Sequence, residues 1–149
     1  MPYAQGTSVP IDRSRAEIER IIGRYGATKY GTWSEPTRAT VQFVVRSGRQ
    51  VQIPVPMPTV KDAPRGTREP EKWVEAEGRR RWRVLVITLK AMLEAVESRL
   101  FTFDQVFLSH MVIPGTARTL GDELIPRLPA LYSGTSLPRL LDESSKGGS

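Results

Sequence analysis

Four arginines and a tryptophan crowd into five consecutive positions, Arg79, Arg80, Arg81, Trp82 and Arg83. Guanidinium groups grip phosphate through paired N–H donors, and an aromatic ring among them can stack on a base. Trp82, however, opens an apolar series that continues through Leu85, Val86, Leu89, Met92, Leu93, Val96 and Leu100. Those three- and four-residue steps predict an amphipathic helix over Gly78 to Leu100 and assign Trp82 to the core. Glu75 and Glu77 lie one turn from Arg79, Arg80 and Arg81, so part of the charge can be paired within the helix. Isolated surface pairs stabilise by only about 0–1 kcal/mol, a weak structural reason for so many arginines. The expected nucleic-acid site is therefore Arg79, Arg80, Arg81 and Arg83, assisted by Arg46, Arg49 and Lys29. Tyr30 and Trp33, outside any helical stripe, are its expected stacking residues.

Catalytic chemistry has little to work with. His110 is the single histidine and lies near the end of an apolar helix, with no Ser–His–acid spacing around it. The absence of cysteine removes thiolate nucleophiles, disulfides and cysteine-ligated metals. Glu94 with Glu97, and Asp122 with Glu123, read as solvated faces or helix-dipole partners and not as acid–base pairs. There is no Walker loop and no Rossmann glycine pattern. The expectation is a non-catalytic protein with no cofactor and no metal.

Charge points the same way. The 149 residues carry a net charge of +6, unevenly placed. Residues 13–49 hold eight basic and three acidic side chains, residues 50–100 ten and seven, and the remainder from 101 four and five. A basic first two-thirds suits an anionic partner such as nucleic acid. The apolar content of 39% is that of a globular protein, and no apolar run approaches the roughly 18 residues of a membrane span. The N-terminus has no signal-peptide apolar core, so a cytoplasmic location without a membrane partner is expected.

The elements that must position these residues follow from periodicity. Residues 1–12 read as an extended arm. Ser14 with Glu17 suggests a capping box, and Ile18, Ile21, Ile22 and Tyr25 form a helical stripe closed by Gly26, with Arg13, Arg15, Arg20 and Arg24 on the other faces. Three strands are expected at Lys29–Trp33, Thr40–Val45 and Gln50–Val55. A two-residue loop would pair Val44 with Val51 and split the apolar sets between two faces. The loop Arg46-Ser47-Gly48 instead pairs Val45 with Arg49, Phe43 with Val51 and Val41 with Ile53, which keeps them together. The opposite face is then Thr40, Gln42, Val44, Gln50 and Gln52, polar and nearly uncharged. Pro54, Pro56 and Pro58 are expected to end the third strand. Residues 59–68 read as a mobile loop, and Glu69-Pro70-Glu71 as a helix start whose helix can run on through Gly78, a possible kink. Thr102 with Gln105 and Thr119 with Asp122 cap two further helices, the first reaching Met111 and the second Leu128. Leu137–Leu141 read as an apolar strap, and residues 144–149 as a linker or tag remnant.

The long helix has a second apolar side, Val84, Ile87, Ala91 and Ala95, which needs a cover from the C-terminal helices or another subunit. The whole is one α+β domain over residues 1–143: an N-terminal helix, a three-stranded antiparallel meander packed on a long central helix, and a helical C-terminal cap.

The segments SVPIDRSRAEIERIIGRYGA, QVQIPVPMP, LKAMLEAVESRLFTFDQVFL and IPRLPALYSG resemble a recurrent family of small uncharacterised proteins of tailed bacteriophages and prophages, over nearly the whole domain. That resemblance implies a phage setting and carries no functional residues. In topology alone the chain is similar to single-strand annealing proteins, which form rings or filaments with DNA in a basic groove. The expected function is single-stranded DNA binding or annealing in phage replication or recombination, with homo-oligomerisation. The rival expectation is a protein–protein interaction factor, an anti-defence inhibitor or assembly factor, using the glutamine-rich sheet face or the second apolar helix side to engage a host or phage protein.

Overall fold

The structure, a computed structural model, describes residues 8–134. In chain order it contains α1 (Ile11–Tyr25), β1 (Lys29–Ser34), β2 (Arg38–Val44), β3 (Gln50–Pro56), α2 (Pro70–Glu97), α3 (Phe103–Phe107), α4 (Leu120–Leu124) and α5 (Leu128–Tyr132). The strands form one antiparallel sheet in the order β1-β2-β3. Helices α1 and α2 lie side by side, and their apolar stripes meet the sheet face that carries Val41, Phe43, Val45, Val51 and Ile53. This is the expected α+β architecture. Most of the N-terminal arm, the 137–141 strap and residues 144–149 lie outside the described residues.

Alternation sets the sheet. Phe43 pairs with Val51 and Val41 with Ile53. The β2–β3 loop closes through the Val45 N–H donating to the Arg49 carbonyl at 3.1 Å, and Gly48 is left-handed at φ 87°. The three-residue loop and its register are therefore as expected.

The prolines do not end β3, which runs through Pro54 to Pro56. Residues 51, 53 and 55 point their backbone groups at β2, as the Val45–Arg49 pair at the same parity requires. Pro54 and Pro56 fall on the outward parity, where a missing N–H breaks no ladder bond. The Gln50 end of the same edge is covered differently, by the Val112 N–H donating to the Gln50 carbonyl at 2.8 Å. Between them, prolines and Met111–Val112 blunt the β3 edge.

Helix α1 starts earlier than the capping box suggested. Its N-cap is Pro10, whose carbonyl accepts from Arg13 and Ser14, so Ser14 lies inside the helix and is fully buried. The extra turn brings Ile11 against α2, where Gly78 is buried and a Cβ would stand 3.5 Å from the Ile11 Cδ1. Gly78 thus marks a close helix approach, and α2 runs unbroken over 28 residues. Trp82, Val86 and Leu89 are at most 1% exposed, each burial stabilising by roughly 1.5–3 kcal/mol. Leu100 does not extend the stripe: α2 stops at Glu97, Arg99 turns left-handed at φ 63°, and Leu100 is 69% exposed.

Both C-terminal capping boxes form, Thr102 with Gln105 and Thr119 with Asp122. Their helices are shorter than expected. α3 ends at Phe107, because Met111 leaves helical geometry to bridge Val51. α4 ends at Leu124, leaving Leu128 to begin α5. Phe107 is fully buried, edge-on to Phe43 at 5.7 Å and stacked on Phe103 at 4.7 Å. Residues 59–68 contain a short 3-10 turn, Val60–Asp62, capped by Thr59.

Candidate nucleic-acid interface

The arginine run of α2 is divided among internal partners. Arg80 donates to both carboxylate oxygens of Glu77 at 2.8 and 2.7 Å. Arg81 reaches Glu77 at 3.1 Å and the Pro56 carbonyl at 2.6 Å. The hydrogen bond from Arg80, and then that from Arg81, hold the Glu77 carboxyl below its ordinary range despite burial. Arg83 crosses to Glu17 of α1, joined there by Lys90 at 2.8 Å. Arg79 lies partly buried beside Pro10, Ile11, Asp12 and Glu75, its Nε without a partner. Successive helical positions point 100° apart, so these four guanidinium groups do not form one patch.

The auxiliary residues separate too. Arg49 makes a two-pronged contact with Asp104 at 2.9 and 2.8 Å, tying the hairpin tip to α3. Arg46 at the same tip is exposed and forms no salt bridge among the described residues. Lys29, Tyr30 and Trp33 all lie on β1 and are exposed.

Arginines of α1 that were not among the expected site residues form a more continuous basic surface. Arg13, Arg20 and Arg24 are exposed, and at 3.6 residues per turn they fall within about 40° of one another around α1. None makes a salt bridge among the described residues. The spacing of seven and four was visible in the sequence; what was missing was which neighbouring acids were engaged elsewhere. Glu17 faces α2, and Glu19 accepts from the Thr32 hydroxyl at 3.3 Å. Arg15, one face round, is structural: it donates to the Thr32 hydroxyl and carbonyl at 3.0 and 2.8 Å and sits over Trp82 at 5.8 Å. On the β1 flank of the ridge, Gly23 leaves room for the Tyr30 ring, whose hydroxyl would be 3.4 Å from a Cβ there.

The open sheet face continues from the β1 edge. Its rows are Lys29–Val44–Gln50, Gly31–Gln42–Gln52 and Trp33–Thr40–Pro54, followed by a charged end row of Glu35, Arg38 and Pro56. Lys29 is the one charged side chain of the first three rows. A shallow depression of about 390 Å³ lies over Gly31 between Lys29 and Trp33, with Gln42 and Gln50 on its lining. The ridge and Tyr30, on the α1 side of β1, are basic and aromatic, and this face, on the other side of the same edge strand, adds amide hydrogen-bonding groups.

The second apolar side of α2 is only partly covered. Ile87 and Ala91 line a groove with Ile21 of α1, about 610 Å³ in volume and rimmed by Arg24, Lys90, Glu94 and Glu97. Asp122 caps Thr119, and Glu123 pairs with Arg118 at 2.6 Å, so that acidic pair serves the fold. His110 is half-buried, and burial lowers its pKa. Among the described residues no three His, Cys, Asp or Glu side chains are grouped to hold a metal ion. No helix among them is long and apolar enough to cross a membrane.

No protein-family model matches the chain, and neither does any curated protein or solved structure.

Proposed function

We propose that the protein is a non-catalytic single-stranded nucleic-acid-binding protein acting through the α1 ridge and the adjoining β1 side of the sheet. The observation that carries this reading is the alignment of Arg13, Arg20 and Arg24 on one exposed face, with no salt bridge among the described residues. Three free guanidinium groups along a helix suit a phosphate chain. Exposed Tyr30 beside α1, and Trp33 on the other face of β1, favour a strand with unpaired bases, because bases inside a duplex cannot reach such rings. Arg46 and Lys29 add charge at the margins. Arg80, Arg81 and Arg83 have smaller parts, being committed to Glu77, Glu17 and the Pro56 carbonyl, and so has Arg79, which is partly buried beside Asp12 and Glu75. The resemblance to small phage proteins would place such a strand in replication or recombination within the host cytoplasm.

Fluorescence anisotropy with a labelled 20-nucleotide single strand tests the reading. Affinity should fall steeply between about 50 and 200 mM salt, and Arg20→Glu with Arg24→Glu should abolish binding. Salt-independent binding, or full affinity in the double variant, would refute it. A second reading, a protein–protein interaction factor or homo-oligomer, is favoured by the groove at Ile21, Ile87 and Ala91. One-to-one capture of a host or phage protein, or self-association lost on Ala91→Glu, would support it in the absence of nucleic-acid binding.

A further inference from the structure

Gly31 sits in the middle of β1 at a position that has no conformational need for glycine. It is not among the residues with positive φ, and nothing lies within 4 Å of where its Cβ would be. Glycine weakens a strand interior and often marks a place where something must approach the backbone closely. Here no other part of the described residues takes up the vacated space.

The surroundings define what fits. Lys29 and Trp33 flank the notch on the same face, about 14 Å apart along the strand at roughly 3.4 Å per residue. Trp33 is 40% exposed, while its cross-strand neighbour Thr40 is only 2% exposed. Gln42, directly opposite Gly31, and Gln50 at the Lys29 end line the depression with amide groups that both donate and accept. The carboxylate beyond Trp33 on this face, Glu35, is paired with Arg38 at 3.8 Å. A flat, polar-edged ring carried on an anionic chain matches every one of these features.

We infer that the Gly31 notch seats one unpaired nucleobase of a bound single strand. The base lies over the glycine against the Trp33 indole, its edge meets Gln42 and Gln50, and Lys29 faces the adjoining phosphate. Tyr30 continues the path round the β1 edge toward Arg20 and Arg24. This rests on the single-strand-binding reading, and it makes binding depend on bases as well as phosphates.

The test compares dT15 with a fifteen-unit abasic strand of equal charge at about 50 mM salt. Wild-type protein should prefer dT15 by at least tenfold. Gly31→Val fills the notch with a residue that strands favour, so it should keep the melting temperature, bind the abasic strand as before, and lose the preference. Trp33→Leu should do the same and carries the test if the valine variant misfolds. Arg20→Glu with Arg24→Glu should lose both strands. Equal wild-type affinity for the two strands, or an undiminished preference in folded Gly31→Val and Trp33→Leu, overturns the base seat and leaves single-strand binding standing. Failure of the wild type to bind either strand overturns both.

Discussion

The Glu17 carboxylate of α1 receives the Arg83 guanidinium of α2 across the helix interface, with both side chains less than one-fifth exposed. Lys90 donates to its other oxygen. These hydrogen bonds, that from Lys90 and then that from Arg83, draw the Glu17 pKa down from 4.5 to about 2 against the opposing effect of burial. The bridge fixes the two helices side by side and takes Arg83 out of the pool of free cations.

A depressed carboxyl pKa contributes stability that is fully present above the unfolded value and is lost as pH falls through the folded one. Glu17→Gln should therefore lower stability at pH 7 by about 2 kcal/mol, or roughly 4–8 °C in melting temperature for a chain of this size. The gap between variant and wild type should shrink as pH falls from about 4.5 toward about 2. Thermal melts followed by circular dichroism across that range measure it. A gap that stays constant with pH would show that the bridge is not the source of the difference.

The two sets of arginines should respond oppositely to charge reversal. Arg20→Glu and Arg24→Glu change exposed side chains with no salt bridge among the described residues, so stability should move by no more than about 0.5 kcal/mol each. Arg83→Glu places a second carboxylate against Glu17 and should lower stability by several kcal/mol, on the order of 3 or more. Chemical denaturation of the three variants compares them directly. Equal losses in all three would mean that the ridge is as engaged as the bridge.

Pro54 and Pro56 make a different kind of prediction, about solubility. Both are exposed on the outward parity of β3, where they withhold two N–H donors from any approaching strand. Changing both to valine should preserve the sheet register while restoring a pairing edge. Light scattering should then report concentration-dependent association that the wild type lacks at the same concentration. A monodisperse double variant would show that Met111–Val112 alone protects the edge.

What could be read from the sequence depended on how local its cause was. The β2–β3 register was legible because only one loop length keeps Phe43, Val51, Val41 and Ile53 on a common face. The Thr102 and Thr119 caps were legible because both partners lie within four residues. Ser14 looked like a cap by the same local rule and was not one, since the helix begins a turn earlier at Pro10, where Ile11 lies against Gly78, 67 positions away in the chain. The arginine run was legible only in part, for a similar reason. Its charge was plain, but Glu17 and the Pro56 carbonyl lie on other elements, and only the tertiary fold shows which guanidinium groups are already engaged. The α1 ridge emerged by the same subtraction.

Gly121, in the first turn of α4, shows how tightly the C-terminal cap is seated. A Cβ at this position would stand 2.6 Å from the Ser109 carbonyl oxygen and 3.3 Å from the Ile125 Cδ1. The first neighbour is backbone in the turn after α3 and cannot swing aside. That turn is held by the Leu120 N–H donating to the Met111 carbonyl at 2.8 Å, next to the Met111 bridge to Val51. Gly121→Ala should therefore push α4 off the turn and destabilise by about 1–3 kcal/mol, the usual range for overpacking. Gly31→Ala is the matched control, because its Cβ meets nothing within 4 Å and its backbone is not left-handed. Hydrogen exchange should show faster opening of Leu120 and Val112 in the Gly121 variant, and unchanged protection there in the control. Wild-type protection at both amides in Gly121→Ala would mean that the cap can shift to accommodate a methyl group, and that its close approach is not what holds Met111 against the sheet.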